Sequence, residues 1–222
     1  MLLAVDTSTL WVGLALYDGE RVISEETWLS QNHHSVELAP ALSSLIKRSG
    51  VSARSLSALA VALGPGSFTS LRIGLAFVKG LALALHLPII GVPTLDILAV
   101  AQPVREQPLV AVLQAGRGRL VLGWYRSQSN HWQPSSEPEI STAEELAQSI
   151  RKQTLVCGEL SGEERQLLAR KRKNVILASP AQSLRRPAFL AEIAWERWQA
   201  GQVDEPISLA PIYLHVAEPI PV

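Results

Sequence analysis

The chain has 222 residues, 47% of them hydrophobic, and its 20 Lys and Arg balance its 20 Asp and Glu. That content buries a proper core and excludes a disordered chain, and the length suits two compact lobes of roughly 100 residues each. Residues 1–104 hold six basic and seven acidic side chains and residues 105–222 hold fourteen and thirteen, so neither half binds nucleic acid on electrostatics alone. Cys157 is the only cysteine, which excludes an internal disulfide and a multi-thiolate zinc site and fits a reducing cytoplasm.

The N-terminal MLLAVDTST has no basic flank and meets an acid at Asp6, so it reads as the start of the fold and not as a signal peptide. LLAVD (2–6), WVGLALY (11–17) and RVISEETW (21–28) are three β-prone runs, with Asp18-Gly19 supplying the hairpin turn between the last two. A helix is predicted over 35–48, with Ser35 as N-cap, Glu37 favourable to the helix dipole, and Gly50 past its end. Pro40 predicts a kink there or a later start. LSALAVAL (56–63) reads as a fourth strand, 67–86 as a helix, PIIGV (88–92) as a fifth strand and 94–102 as a short helix.

The second half follows the same order. Strands are predicted at 108–114 and 119–125, with a weak third in SQSNHWQPSSEPEI. Helix 142–152, strand TLVCG, helix 162–172, strand NVILA and helix 187–200 follow. An α/β unit used twice predicts two lobes with a cleft between them, divided at 104/105. The order matches two ribonuclease H-like lobes of the actin/hexokinase/Hsp70 (ASKHA) superfamily, an analogy of fold that does not settle function.

VDTST places Asp6, Thr7, Ser8 and Thr9 after the first strand, where a turn rich in N–H donors makes an anion or nucleotide site. The same residues also suit a turn that merely satisfies itself. LGPGSFTS is not a P-loop, lacking Lys-Ser/Thr at the required spacing, although Gly64, Gly66 and Ser67 precede a helix N-terminus able to hold an anion. Ser67 or Thr69 is placed to cap that helix. His33 and His34 are adjacent instead of four apart, and no HExxH, HxxxH or GxSxG occurs, so neither a metal site nor an activated nucleophile is expected. The basic run ARKRK (169–173) reads as a solvated helix end, and Trp195 and Trp198 as packing on one helical face.

The helix at 67–86 is apolar around nearly its whole circumference, while a surface helix is apolar on one stripe only. Its longest uncharged run, Gly80 to Thr94, falls short of the roughly 20 residues a bilayer needs, so no membrane span is expected. Sheet on one side and a partner on the other would account for it, as would cover by the second lobe. The helix at 35–48 carries a similar wide stripe.

VDTST, NHHSVELAPAL, LALGPGSFTSLRIGLAFVKGLALAL, PIIGVPTLDILA and PIYL together resemble the TsaB (YeaZ) family, closely over residues 1–100 and loosely beyond 105. The resemblance implies a cytoplasmic, non-catalytic subunit without a cofactor, acting in synthesis of the tRNA N6-threonylcarbamoyladenosine next to the anticodon. It implies docking to a TsaD-like paralogue that holds the metal, work with a TsaE-like ATPase, contact with tRNA only through the complex, and a homodimer when alone. Docking in that family uses the two helices singled out above, which makes Leu38, Leu42, Leu45, Leu71, Arg72, Leu75 and Val78 the expected contact. A charge at Leu75 is then expected to break the complex and leave the chain folded. Two stretches depart from the family pattern, Gln114-Ala115-Gly116-Arg117 where it has Asp-Ala-Arg, and Tyr213-Leu214-His215 where it has Tyr-Leu-Arg. A metal-dependent glycoprotease-like peptidase and a nucleotide-binding protein of the same superfamily are the rival readings.

Overall fold

A computed structural model of the chain describes residues 1–31, 33–171 and 173–214. The first half opens with β1 (Leu2–Asp6), β2 (Trp11–Tyr17) and β3 (Val22–Leu29). They form an antiparallel meander turned by Asp18, whose Oδ1 accepts the N–H groups of Glu20 and Arg21. Next come α1 (His34–Ser49), β4 (Ala58–Gly64), α2 (Phe68–Leu85), β5 (Ile89–Pro93) and α3 (Thr94–Val100). The sheet runs β3-β2-β1-β4-β5, with β4 parallel to both neighbours and α2 as the crossover between β4 and β5.

The second half repeats that path. β6 (Leu109–Gly116), β7 (Arg119–Gln128), β8 (His131–Pro134) and β9 (Glu139–Ser141) precede α4 (Ala143–Ser149), β10 (Thr154–Gly158), α5 (Gly162–Ala169), β11 (Val175–Leu177) and α6 (Pro187–Gln199). The order is β11-β10-β6-β7-β8, with β10 parallel to β6 and β11. The third strand expected here is split in two, β8 opposite Tyr125–Gln128 and β9 opposite Leu120–Leu122. Pro134 and Pro138, which bring no N–H to a ladder, bound the stretch between the two pieces.

Alternation along the strands decides which helices go where. Leu3, Val5, Leu14 and Leu16 face α1 and α2, meeting Leu38, Leu42, Leu45, Leu75 and Val78. Ala4, Ala15, Ala58, Ala60 and Ala62 face the opposite way, and α6 packs there through Leu190, Ala191 and Ala194. The helix at 187–200, expected with the second lobe, therefore lies on the first sheet. A shelf of small residues lets it approach closely, and a Cβ on Gly13 would stand 2.9 Å from Pro187 at its start. α3 joins the two halves: Ile97 packs on the first sheet, and Leu95, Leu98 and Ala99 on the second. α4 and α5 cover the far face of the second sheet.

Three local expectations are corrected. α1 starts at His34 with His33 in the cap position and no side-chain cap bond, so Ser35 is not the cap. Buried His34 instead joins its Nε2 to the Thr9 carbonyl at 2.9 Å. Pro40 is accommodated inside α1, because the Val36 carbonyl it leaves without an N–H belongs to the exposed side of the helix. α5 ends at Ala169, so the basic run lies past it, and Arg172 falls outside the described residues.

α2 is long and apolar enough, by length and composition alone, to cross a membrane. Leu71, Leu75, Val78 and Ala82 on one face of it are buried in this fold, and Ser67 caps its N-terminus. Leu75 is 6% exposed, within the first-lobe core. Leu75→Asp is expected to lower stability by more than about 3 kcal/mol, since it buries a charge without a partner. A urea titration followed by circular dichroism checks this, and an unchanged midpoint would contradict the assignment of Leu75 to the core.

Candidate functional site

β1 ends at Asp6, and the turn that follows is buried: Asp6 is 2%, Thr7 1%, Ser8 0% and Thr9 8% exposed. The Ser8 N–H and hydroxyl both donate to Asp6 Oδ1, at 2.8 and 2.7 Å. Thr94 Oγ1, 2.8 Å from Ser8 Oγ, accepts the Gly64 N–H at 3.0 Å. Thr7 Oγ1 donates to the Ser70 carbonyl, and the Ser67 N–H donates to the Ser8 carbonyl, both at 2.7 Å. The corner Gly64-Pro65-Gly66 is thereby fastened to the β1–β2 turn. Contact is close enough that a Cβ on Gly66 would stand 2.2 Å from the Ser8 carbonyl oxygen.

The sequence-predicted anion residues are thus brought together, but their polar atoms are turned on one another. The N–H groups of Ser8, Gly64 and Ser67 are already engaged by protein acceptors. Arg185 completes the cluster from 179 residues away. Its Nε donates to Asp6 Oδ2 at 2.6 Å and one terminal nitrogen to Glu159 Oε1 at 2.5 Å. The other terminal nitrogen reaches Thr9 Oγ1 at 3.0 Å and the Trp11 carbonyl at 3.3 Å. Thr9 Oγ1 donates in turn to Glu159 Oε1 at 2.7 Å.

Arg185 is 3% exposed. Burial alone would lower the pKa of its guanidinium, but the Asp6 and Glu159 carboxylates outweigh burial and raise it above its ordinary value. Two carboxylates share one guanidinium. Glu159 follows β10 of the second sheet and Asp6 ends β1 of the first, which makes the cluster a tie between the sheets. Nothing local to Arg185, Glu159, Thr94 or Ser70 announces these roles. The only signal was Asp6 itself, a buried acid that needs a partner.

The expected docking residues divide sharply. Leu38, Leu42, Leu45, Leu71, Leu75 and Val78 are all buried within the chain, between helices and sheet. Their expected place at a contact is therefore corrected, because the i, i+3, i+4 stripe that drew attention to them is the stripe that seals the core. Outward lie Val36, Ala39 and Pro40 on α1, and Ala76, Gly80, Leu83 and Ala84 on α2, with Val36 67% and Leu83 78% exposed. Arg72 is exposed, lies 3.7 Å over the Phe68 ring, and donates from Nε to the Tyr213 hydroxyl at 3.0 Å. The Lys79 ammonium donates to the Leu209 carbonyl at 2.7 Å, so residues 209–213 run along one flank of α2.

Of the departing stretches, Gln114 donates to Glu164 Oε2 at 2.7 Å, and Ala115, Gly116 and Arg117 are exposed at the β6–β7 turn. His215 lies outside the described residues.

Two sheets of one strand order with helices on their faces give the chain the actin/hexokinase/Hsp70-like fold of two ribonuclease H-like lobes. The ROK hexokinase of Thermus thermophilus shares this fold, with a TM-score of 0.50 at 11% identity over 90% of this chain and 99% of that one. The family model described as TsaD, tRNA N6-adenosine threonylcarbamoyltransferase, matches residues 23–179. The tRNA threonylcarbamoyladenosine biosynthesis protein TsaB of Bacillus subtilis (strain 168) is 29% identical over 225 residues, 98% of this chain and 95% of that protein. YeaZ from Pseudomonas aeruginosa superposes with a TM-score of 0.78 at 26% identity, over 96% of this chain and 99% of that one. The chain belongs to the TsaB (YeaZ) family, within the wider group that the TsaD model describes.

Arg185→Met is expected to lower stability by about 3–5 kcal/mol, because it strands Asp6 and Glu159 in a buried site. Adding Asp6→Asn and Glu159→Gln is expected to recover most of that loss. Urea midpoints of the single and triple variants check this. A triple variant no more stable than Arg185→Met would refute the ionic account.

Proposed function

We propose that this chain is a non-catalytic scaffold subunit in tRNA threonylcarbamoyladenosine biosynthesis, which docks a TsaD-type transferase on the outer face of α1 and α2. The observation that carries this is the two-sided apolar character of α2. One face is engaged by the sheet, while Ala76, Gly80, Leu83 and Ala84 remain exposed on an 18-residue helix. Small residues there admit the backbone of a partner helix at close range.

Membership in the TsaB family supports the pathway, and the chain's own likeness to the TsaD model is consistent with pairing to a paralogue of the same fold. In this reading a TsaE-like ATPase joins the complex, tRNA is met only through it, and the same face pairs two copies when the partner is absent. Work takes place in the cytoplasm, without a cofactor on this chain. The Asp6–Arg185–Glu159 cluster supports a non-catalytic role, since its polar groups are engaged chiefly with each other. Residues 1–104, with α6 packed on their sheet, then form the docking lobe, and the lobe built from the rest of 105–222 braces it through the cluster.

Ala76→Glu on α2 and Ala39→Glu on α1 are exposed changes and are expected to leave the urea midpoint unchanged. Each should weaken co-elution with the TsaD-type transferase by about tenfold or more, through a charge left in a dry contact. Undiminished co-elution of both variants would sink the proposal.

A further inference from the structure

Beside the ionic cluster lies a cavity of about 850 Å³, walled by both halves of the chain. That is within the usual range of about 300–1,000 Å³ for small-molecule sites. Its walls include Leu10, Trp11, Leu29 and Phe68 from the first half and Leu160 and Leu184 from the second. Leu10, Leu29 and Phe68 are 48%, 56% and 53% exposed, so three large apolar side chains open to water gather at one cavity. Ser183 also lines it, is 7% exposed, and its buried hydroxyl has no hydrogen-bond partner among the described residues.

Charge narrows what fits. Glu159 is paired with Arg185 on the wall, and the N–H groups of Ser8, Gly64 and Ser67 beside the pair are engaged, so this end offers neither a bare carboxylate nor a bare guanidinium. Arg165, a further cation on the wall, is held to the Ala178 carbonyl at 2.5 Å. Glu159 directs Oε1 to Arg185 and Thr9, which leaves Oε2 to accept a donor from the cavity.

We infer that the cleft between the lobes is a binding site for an uncharged small molecule. Such a ligand has an apolar body, which lies against Leu10, Trp11, Leu160 and Leu184. An N–H or hydroxyl on it pairs with Ser183 Oγ or Glu159. In this reading the ligand is not a nucleoside polyphosphate, and the site is separate from the docking face, so the two ideas stand or fall independently.

The test uses N-phenyl-1-naphthylamine, an uncharged apolar amine whose fluorescence rises on leaving water, titrated into the full chain. Saturable one-to-one binding is expected. Ala115→Trp, at an exposed position on the cavity wall, is expected to weaken binding by about tenfold or more by filling the space. Ser183→Ala should weaken it by a smaller factor, and Ala76→Glu on the docking face should leave it unchanged. Circular dichroism confirms that each variant is folded. Dye affinity unaltered by Ala115→Trp, or dye displaced by millimolar ATP, would overturn the inference.

Discussion

The guanidinium of Arg185 between Asp6 and Glu159 is the constraint on which the arrangement of the two sheets turns. Each carboxylate stands at the carboxyl end of a strand in a different sheet, and Asp6 could not be buried there without a cation beside it. Those strand ends lie close to each other between the two sheets. Here a side chain of the protein makes the bridge, and it also recruits Thr9 and the Trp11 carbonyl. These ion pairs tie the two sheets to each other at that point.

Much of the fold was legible from periodicity. The strands from LLAVD to TLVCG, the crossover helix after GPGSFTS and the repeat of one strand order all follow from alternation, turn residues and caps. The place of α6 was not, because its neighbours are set by a shelf of alanines far away in sequence and not by anything within PAFLAEIAWERW. The partners of Asp6 were hidden for the same reason: a separation of 179 residues leaves no spacing to read. The docking residues were misplaced by a different route. A leucine stripe marks the buried side of a helix, so the positions left exposed are the alanines and glycine between the leucines, with Leu83.

That distinction gives α2 its character. Its core face carries Leu71, Leu75 and Val78, with branched side chains that interlock with the sheet, while its outer face is nearly stripped of bulk. An outer face of this kind gains little from burying a single side chain and much from bringing two helix backbones together. The flank of the same helix is claimed by Tyr213 and the Leu209 carbonyl through Arg72 and Lys79, so its two cations are turned aside from the apolar strip.

The position of α6 has a consequence for the order in which the molecule takes shape. The row Ala4, Ala15, Ala58, Ala60 and Ala62 belongs to the first strands made, yet the helix that covers it spans Pro187–Gln199. During synthesis the first sheet is therefore finished on one side by α1 and α2 while its other side waits for most of the chain to emerge. Small side chains make that wait safer, because a shelf of alanines exposes less adhesive surface than the leucines opposite. When α6 arrives it brings Arg185 with it, two residues ahead of its first turn, so the event that completes the oldest part of the fold also ties the newest part to it.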